Sequence, residues 1–180
     1  MRPGLAFAAL ALLLMGGCKE EAEAPPPPFA LTREAMGRYC GMNVAEHGGP
    51  KGQVILARYI EPIWFSTARD AIAFTMLPDE PKDIRAIYVS DMAKAPSWEK
   101  PGAENWIDAK GAYFVLDSRR NSAMGTREAV PFSSEGAAAA FAREHGGRVL
   151  RFGDLPRDYI LDAAGADPAP PDAPPPGKVD

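Results

Sequence analysis

Cysteine and histidine are scarce in this chain of 180 residues. It contains two cysteines and two histidines, and it has no Cys-x-x-Cys pair. Dithiol redox chemistry is therefore excluded in its usual form. A zinc site, which takes four ligands that are usually Cys or His, would be difficult to build. The Gly-x-Ser-x-Gly motif of serine hydrolases is also missing. These absences predict a protein that is not an enzyme.

Clusters of basic residues are missing as well. The chain has 20 Lys and Arg against 24 Asp and Glu, for a formal net charge of −4. A nucleic-acid-binding surface needs a clustered basic face, so we expect no nucleic-acid partner. Beyond the N-terminal region, no uninterrupted apolar run is long enough to span a bilayer.

The N-terminal region has the layout of a secretory signal peptide. Arg2 precedes an apolar run over residues 5–15, and two glycines precede Cys18. The ending LMGGC resembles the lipobox of bacterial lipoproteins, which implies removal of residues 1–17 and a lipid on Cys18. The alternative is an ordinary secreted protein that is cut nearby. Both interpretations place the mature protein outside the cytoplasm.

Both ends of the mature chain are low in complexity. Residues 18–28 are charged and then proline-rich, which predicts an extended linker between the lipid and the domain. Residues 167–180 predict a disordered tail for the same compositional reason. Lys19 stands where lipoproteins retained at the inner membrane often carry Asp, which favours the outer membrane. The folded part is then residues 29–166.

An internal repeat organises this folded part. Residues 61–74 and 128–141 share Glu, Phe, Ser, Ser or Thr, two Ala and a second Phe at a constant offset of 67, with the common lead Glu-x-x-x-Phe-Ser-Ser/Thr. In each copy a hydroxyl residue precedes an amphipathic segment and can cap a helix. The repeat predicts an α+β fold of two homologous ββαβ halves, residues 29–106 and 107–166, with antiparallel sheets and one helix each.

The predicted elements follow from this pattern. Phenylalanines in both halves should supply much of the core, at positions 65, 74, 132, 141 and 152. The predicted helices are residues 67–76 and 134–145. The predicted strands are residues 38–44, 53–59, 84–90, 112–116, 127–132 and 148–152.

The sequence Cys40-Gly41-Met42 is the sharpest chemical signal. A lipidated Cys18 leaves Cys40 as the only thiol of the mature chain. On an extended strand, residues i and i+2 point to the same side, which would place the thiol beside the Met42 thioether. Such soft sulfur donors prefer Cu(I). The alternative is that both residues fill the core, as Cys and Met often do.

Two further residues are candidate ligands. Met124 lies in a turn-like stretch before the second repeat, where core packing explains a methionine less well, and pseudo-symmetry could bring this loop to the Cys40 strand. A turn over residues 47–52 could bring His47 near the same place.

The alternative function requires no metal. In it the protein is a lipid-tethered module for protein interaction, and Cys40 and Met42 are buried.

Several longer stretches resemble one known family. The chain is similar to the NosL family, the copper-binding accessory lipoproteins of nitrous-oxide reductase, over nearly the whole folded region. The resemblance is carried by YCGMNV with GGPKGQV (residues 39–54), IYVSDM (87–92), SAMGTREAVPFSS (122–134) and AFAREHGGRVLRF (140–152).

The resemblance implies a function, a location and a site. It implies a lipoprotein on the periplasmic side of the membrane that binds Cu(I) and delivers it for assembly of the reductase copper centres. The partner would be the reductase or its assembly transporter. Carried over by position, Cys40 is the thiolate ligand and Met124 the thioether, Met42 fits the motif, and His47 has a weaker claim.

Overall fold

The computed structural model describes residues 24–162. The predicted signal peptide, the lipidation residue Cys18 and the predicted tail (167–180) lie outside these residues, so they remain predictions. Among residues 24–162, no helix has both the length and the apolar character needed to cross a membrane.

Seven strands and three α-helices make up the described part, with three single-turn 3-10 helices between them. In chain order they are β1 (Gly52–Leu56), β2 (Ile63–Phe65), α1 (Ala68–Met76), β3 (Ile84–Ser90), β4 (Trp106–Asp108), β5 (Tyr113–Leu116), β6 (Val130–Phe132), α2 (Glu135–His145), β7 (Arg148–Arg151) and α3 (Arg157–Leu161). The 3-10 helices are Val44–Glu46, Ala109–Gly111 and Phe152–Asp154.

The strands form two antiparallel sheets, as the α+β prediction requires. The first sheet has the order β2-β1-β3-β4 and the second has the order β6-β5-β7. All strand pairs are antiparallel, and the first strand of each half is central. Each half therefore has the order ββαβ, which confirms the predicted fold class, and β4 extends the first sheet.

The sequence repeat corresponds to a structural repeat. β2 and β6 begin 67 residues apart, at Ile63 and Val130, and α1 and α2 begin at the same offset. Thr67 and Ser134 are the N-caps, with φ/ψ of −133°/148° and −135°/147°. Each side chain accepts a hydrogen bond from a backbone N–H of the first helical turn. Hydroxyl capping is therefore observed in both halves, but one residue later than the sequence predicted, because the predicted helices 67–76 and 134–145 would be capped by Ser66 and Ser133.

The predicted strand over residues 38–44 is wrong. These residues form a tight loop in which Gly41 has a φ of +64°, and the residues beside it make only isolated bridges. A positive φ is incompatible with a strand and is accessible to glycine, which lacks a Cβ. The first strand of the first half is therefore β1, which covers part of the predicted strand 53–59. Its equivalent in the second half is β5, whereas the repeat had matched that predicted strand with β6, the strand directly before α2.

Three short elements were not predicted. β2 and β4 have three residues each and α3 has five, so none is long enough to display a clear hydrophobic period. β4 pairs with β3 in the first sheet, and its residues lie on both sides of the predicted boundary between the halves. The division at residues 106 and 107 stays a prediction.

One large core is shared by the two halves. It joins buried residues of β1, α1 and β3 to Phe114 and Leu116 of β5 and to Tyr159 and Ile160 of α3. A smaller cluster under α2 contains Val115, Val130, Phe132 and Ala138. Of the five predicted core phenylalanines, those at positions 65, 74 and 132 are buried, and those at 141 and 152 pack on the clusters while partly exposed. Sharing one core places the N-terminus of α1 against the second half.

Candidate metal site

Cys40 lies in a tight loop at the start of the domain. The backbone N–H of Gly37 donates to the carbonyl oxygen of Met42 at 2.9 Å, and the N–H of Gly41 donates to the carbonyl of Gly37 at 2.9 Å. These two bonds close the loop around Cys40. The Cys40 thiol is partly exposed and lies 3.1 Å, from Sγ to Oγ, from Ser66, which is buried just before the N-cap of α1.

Side chains next to Cys40 hold this loop on the domain. The Tyr39 ring packs edge-on against Phe65, with 5.4 Å between the ring centroids. The Tyr39 hydroxyl donates to Glu80, and Arg38 forms an ion pair of 3.1 Å with the same carboxylate. Burial and the Glu80 carboxylate raise the pKa of Tyr39, so its hydroxyl keeps its proton. The loop is therefore attached to β2 and to the connection that follows α1.

Gly37 has no room for a side chain because the thiol occupies that space. A Cβ atom at this position would lie 2.5 Å from Cys40 Sγ and 2.9 Å from Ser66 Oγ. Contacts this short force the neighbouring atoms to move, and the Cys40 sulfur is the end of a short side chain that can rotate.

We expect Gly37→Ala to expose the thiol. Loss of a hydrogen bond worth about 1 kcal/mol should raise the alkylation rate of Cys40 by about fivefold. The rate is measured by mass spectrometry of the peptide that contains Cys40. Gly41→Asn is the control, because Asn tolerates positive φ and a Cβ there meets no atom within 4 Å. Equal rates for Gly37→Ala and the wild type would contradict this account of the loop.

The strand geometry that the sequence predicted for Cys40 and Met42 is not present. Because Gly41 reverses the chain, the rule that places residues i and i+2 on one side of a strand does not apply. The Met42 side chain is 41% exposed. This exposure contradicts the alternative in which Met42 fills the core. Met42 stays a candidate ligand because its thioether is accessible, and no longer because of strand geometry.

His47 follows the 3-10 helix Val44–Glu46. Its Nε2 atom is buried and has no hydrogen-bond partner among residues 24–162. It lines a cavity of about 200 Å³ together with Lys51 and Glu99. An unpaired imidazole nitrogen is a possible donor to a metal, although no hydrogen bond or ion pair of the described residues links His47 directly to Cys40.

Met124 lies at the tip of a closed loop in the second half. The Ser122 hydroxyl accepts from the N–H of Met124 at 3.2 Å and lies 2.8 Å from the Thr126 hydroxyl. The backbone N–H of Ser122 donates to Thr126, and Gly125 donates back to Ser122. Met124 itself is partly exposed. This confirms the predicted turn and leaves the thioether outside the core.

The start of α1 receives contacts from Cys40 and from Glu128, which lies four residues after Met124. Cys40 reaches it through Ser66, and the chain that carries Met124 reaches it through Glu128, whose Oε1 accepts from the backbone N–H of Arg69 at 3.0 Å. Lys51 lies beneath this point. Its Nζ donates to the carbonyl oxygens of Gly48 at 2.6 Å and of Ser66 at 3.3 Å.

Two buried ionisable groups therefore accompany the loops. Lys51 and Glu128 are each 1% exposed. Burial lowers the pKa of Lys51 to about 8, against the opposing effect of the Glu128 and Cys40 charges. Burial raises the pKa of Glu128 to about 8, against the hydrogen bonds from Arg69 and Ala129 that favour the carboxylate. Desolvation of the charged form is the main cause of both shifts.

The described residues show no direct contact among the predicted ligands. Within residues 24–162, Cys40 makes no hydrogen bond to Met42, His47 or Met124, and no three His, Cys, Asp or Glu side chains are grouped as a metal site. The described residues therefore form no metal site built only from His, Cys, Asp and Glu. A site that includes methionine thioethers remains the candidate.

Sequence reasoning missed the groups that support Cys40. Ser66, Lys51 and Glu128 carry no motif that indicates burial, and charged residues are almost never fully buried unless they are paired. The only available signal was the place of Glu128 in the repeat. That signal is ambiguous, since its counterpart Glu61 is exposed.

Comparison with known proteins assigns the family. The family model described as NosL matches residues 28–160. The chain is 44% identical over 164 residues to the copper-binding lipoprotein NosL of Achromobacter cycloclastes, covering 89% of this chain and 85% of the relative. It is 33% identical over 163 residues to the copper-binding lipoprotein NosL of Stutzerimonas stutzeri, covering 89% and 84%.

A solved structure agrees with the sequence relatives. The crystal structure of the copper chaperone NosL from Shewanella denitrificans matches with a TM-score of 0.67 and 32% identity, covering 72% of this chain and 97% of that chain. The family model, the relatives and the shared fold lead to one conclusion: this chain belongs to the NosL family.

Proposed function

We propose that this protein is a Cu(I) carrier that delivers copper for assembly of the copper centres of nitrous-oxide reductase. It acts by binding and release and catalyses no reaction. The relatives support copper as the cargo, because two are named copper-binding lipoproteins and a third is described as a copper chaperone. The monovalent state follows from the donor set, since thiolate and thioether ligands select Cu(I).

One observation carries this proposal. Among residues 24–162, Cys40 is the one free thiol, and it is partly exposed beside Ser66 at the start of α1, where Glu128, four residues after Met124, also contacts the helix. Met42 and Met124 also lie outside the core. A thiol and thioethers at the surface can exchange a metal ion with a partner, whereas side chains that only fill space would be buried.

The proposed ligands suit a carrier. Cys40 provides the anionic sulfur, with Met124 as the main thioether and Met42 and His47 as further candidates. Neutral thioethers are weaker donors than a thiolate, so they hold the ion without trapping it. Because the thiol must lose its proton to bind the metal, the affinity for Cu(I) should rise with pH.

The proposed location follows from the N-terminal sequence. A lipid on Cys18 would anchor the protein to the periplasmic side of the membrane, and Lys19 favours the outer membrane. The linker of residues 18–28 would let the domain search for its partner within a limited volume. The partner is the reductase itself or the transporter that assists its assembly.

Anaerobic titration with Cu(I) tests the proposal. We expect the full mature chain, in detergent, to take Cu(I) from a chromophoric chelator and to bind more tightly as the pH rises. X-ray absorption of the loaded protein should show sulfur neighbours. Bound Cu(I) should also protect Cys40 from alkylation. Failure to compete with the chelator, together with unchanged alkylation, would favour the lipid-tethered interaction module that binds no metal.

A further inference from the structure

Glu128 is a buried carboxylate that crosses from one half of the molecule to the other. Its Oε1 accepts from the backbone N–H of Arg69 at 3.0 Å and from that of Ala129 at 2.9 Å. The first N–H groups of a helix have no partner within the helix, so an oxygen acceptor placed there satisfies one of them. A residue of the second half thus completes the N-terminus of α1 in the first half.

The same helix end holds the thiol. Ser66, three residues before Arg69, contacts Cys40 through its hydroxyl and accepts from Lys51 through its carbonyl. A displacement of Glu128 would therefore shift the first turn of α1, which lies next to the Cys40 loop.

Met124 depends on Glu128 from the other direction. The loop over residues 122–126 is closed by its own hydrogen bonds, which hold Met124 in a fixed position relative to Thr126. It connects to β6 through Arg127, which pairs with Asp162 at 2.7 Å on the surface, and through the buried Glu128. Glu128 is then the buried attachment between the Met124 loop and α1.

Asp91 makes a similar contact in the opposite direction, from the first half to the second, although its place in the repeat differs from that of Glu128. It is fully buried, and its Oδ1 accepts from the backbone N–H of Ser133 at 2.9 Å and from that of Ala93 at 3.0 Å. Ser133 corresponds to Ser66 in the repeat. Asp91 therefore ties the first half to the start of α2, but the methionine beside it, Met92, packs against the smaller core cluster.

From these contacts we propose that Glu128 is a positioning residue for copper binding, which fixes the Met124 loop against the helix end that holds Cys40. The inference rests on the proposed function, with Cys40 and Met124 as ligands. Residues that only orient metal ligands typically contribute about 10-fold to 100-fold to metal affinity, and we expect an effect of this size.

The test is a double-mutant cycle with Cu(I) affinity as the readout. We expect Glu128→Ala to weaken binding by about 10-fold to 100-fold in the otherwise wild-type mature chain. In a Met124→Ala background the same change should alter the affinity less than about threefold, because the ligand that Glu128 positions is gone. Equal effects in the two backgrounds, or no effect in either, would overturn the proposal.

Two conservative variants cover the case in which Glu128→Ala does not fold. Glu128→Gln keeps an oxygen at the same reach, so it should retain affinity within about threefold. Glu128→Asp keeps the carboxyl group but is one methylene shorter, and it should weaken binding about 10-fold, as expected for a lost orienting contact. If Gln and Asp behave alike, the reach of the side chain does not matter and the proposal fails.

Asp91→Ala is the matched control. It removes a buried carboxylate that makes a similar contact, and thermal melting should show a loss of stability comparable to that of Glu128→Ala. Its affinity for Cu(I) should stay within about threefold of the wild type. A similar loss of affinity in both variants would show general destabilisation instead of positioning. If the wild type itself binds no Cu(I), the proposed function fails, which is a distinct outcome.

Discussion

Cys40→Ala is expected to lower the affinity for Cu(I) by more than about 100-fold, because even residues that only orient ligands contribute up to that amount. Cys40 is the only cysteine among the described residues, so no other thiolate there can replace it. The affinity is measured by anaerobic competition with a chromophoric Cu(I) chelator at several pH values. The increase of affinity with pH should also disappear, since no thiol proton is then released.

Ser66→Ala is the matched control for Cys40→Ala. It leaves the thiol in place and removes the hydroxyl that lies 3.1 Å from it. The loss of one hydrogen bond corresponds to about 1 kcal/mol, so affinity should change less than about tenfold in either direction. If Cys40→Ala binds Cu(I) as tightly as the wild type, Cys40 is not a ligand and the carrier proposal loses its central residue.

Gly52→Ala is expected to reduce the free energy of unfolding by about 3 kcal/mol, the upper part of the range for overpacking a core. Gly52 begins β1, the central strand that pairs with both β2 and β3. A Cβ atom at this position would lie 2.3 Å from the Cβ of Ala71 in α1. Neither atom belongs to a flexible side chain, so the helix or the strand would have to shift.

The stability of Gly52→Ala is measured by chemical and thermal unfolding of the copper-free protein. Gly136→Ala is the matched control, because Gly136 lies within α2 and a Cβ there meets no atom within 4 Å. The control should be more stable than the wild type by about 0.5–1 kcal/mol, since alanine favours the helix. A Gly52→Ala protein as stable as the wild type would mean that α1 packs less closely on β1 than the structure shows.

The repeat was the most informative pattern for the fold. A hydroxyl cap followed by an amphipathic segment is a local signal, and both helices begin within one residue of the predicted start, with Thr67 and Ser134 acting as caps instead of first helical residues. The strand predicted over residues 84–90 likewise forms as β3 over the same residues. These elements were predictable because the residues that determine them are neighbours in the chain.

The loop around Cys40 was not predictable in the same way. Its residues include Tyr39 and Met42, which are compatible with a strand, but the conformation of Gly41 ends any strand between them. Gly41 adopts a positive φ, and Tyr39 and Arg38 then gain contacts with Phe65 and Glu80. Such contacts join residues far apart in the chain, so they leave no trace in a local pattern.

By itself, the sequence determined the class of fold, the positions of both main helices and the set of soft donors, because caps, hydrophobic periods and side-chain chemistry act over a few residues. The tertiary structure decided which of those donors are exposed and which polar groups are buried around them. Glu61 and Glu128 occupy the same place in the repeat, yet one is solvated and the other completes a helix of the opposite half. That difference arises because the two halves share one core, and sharing a core buries one side of each half unequally.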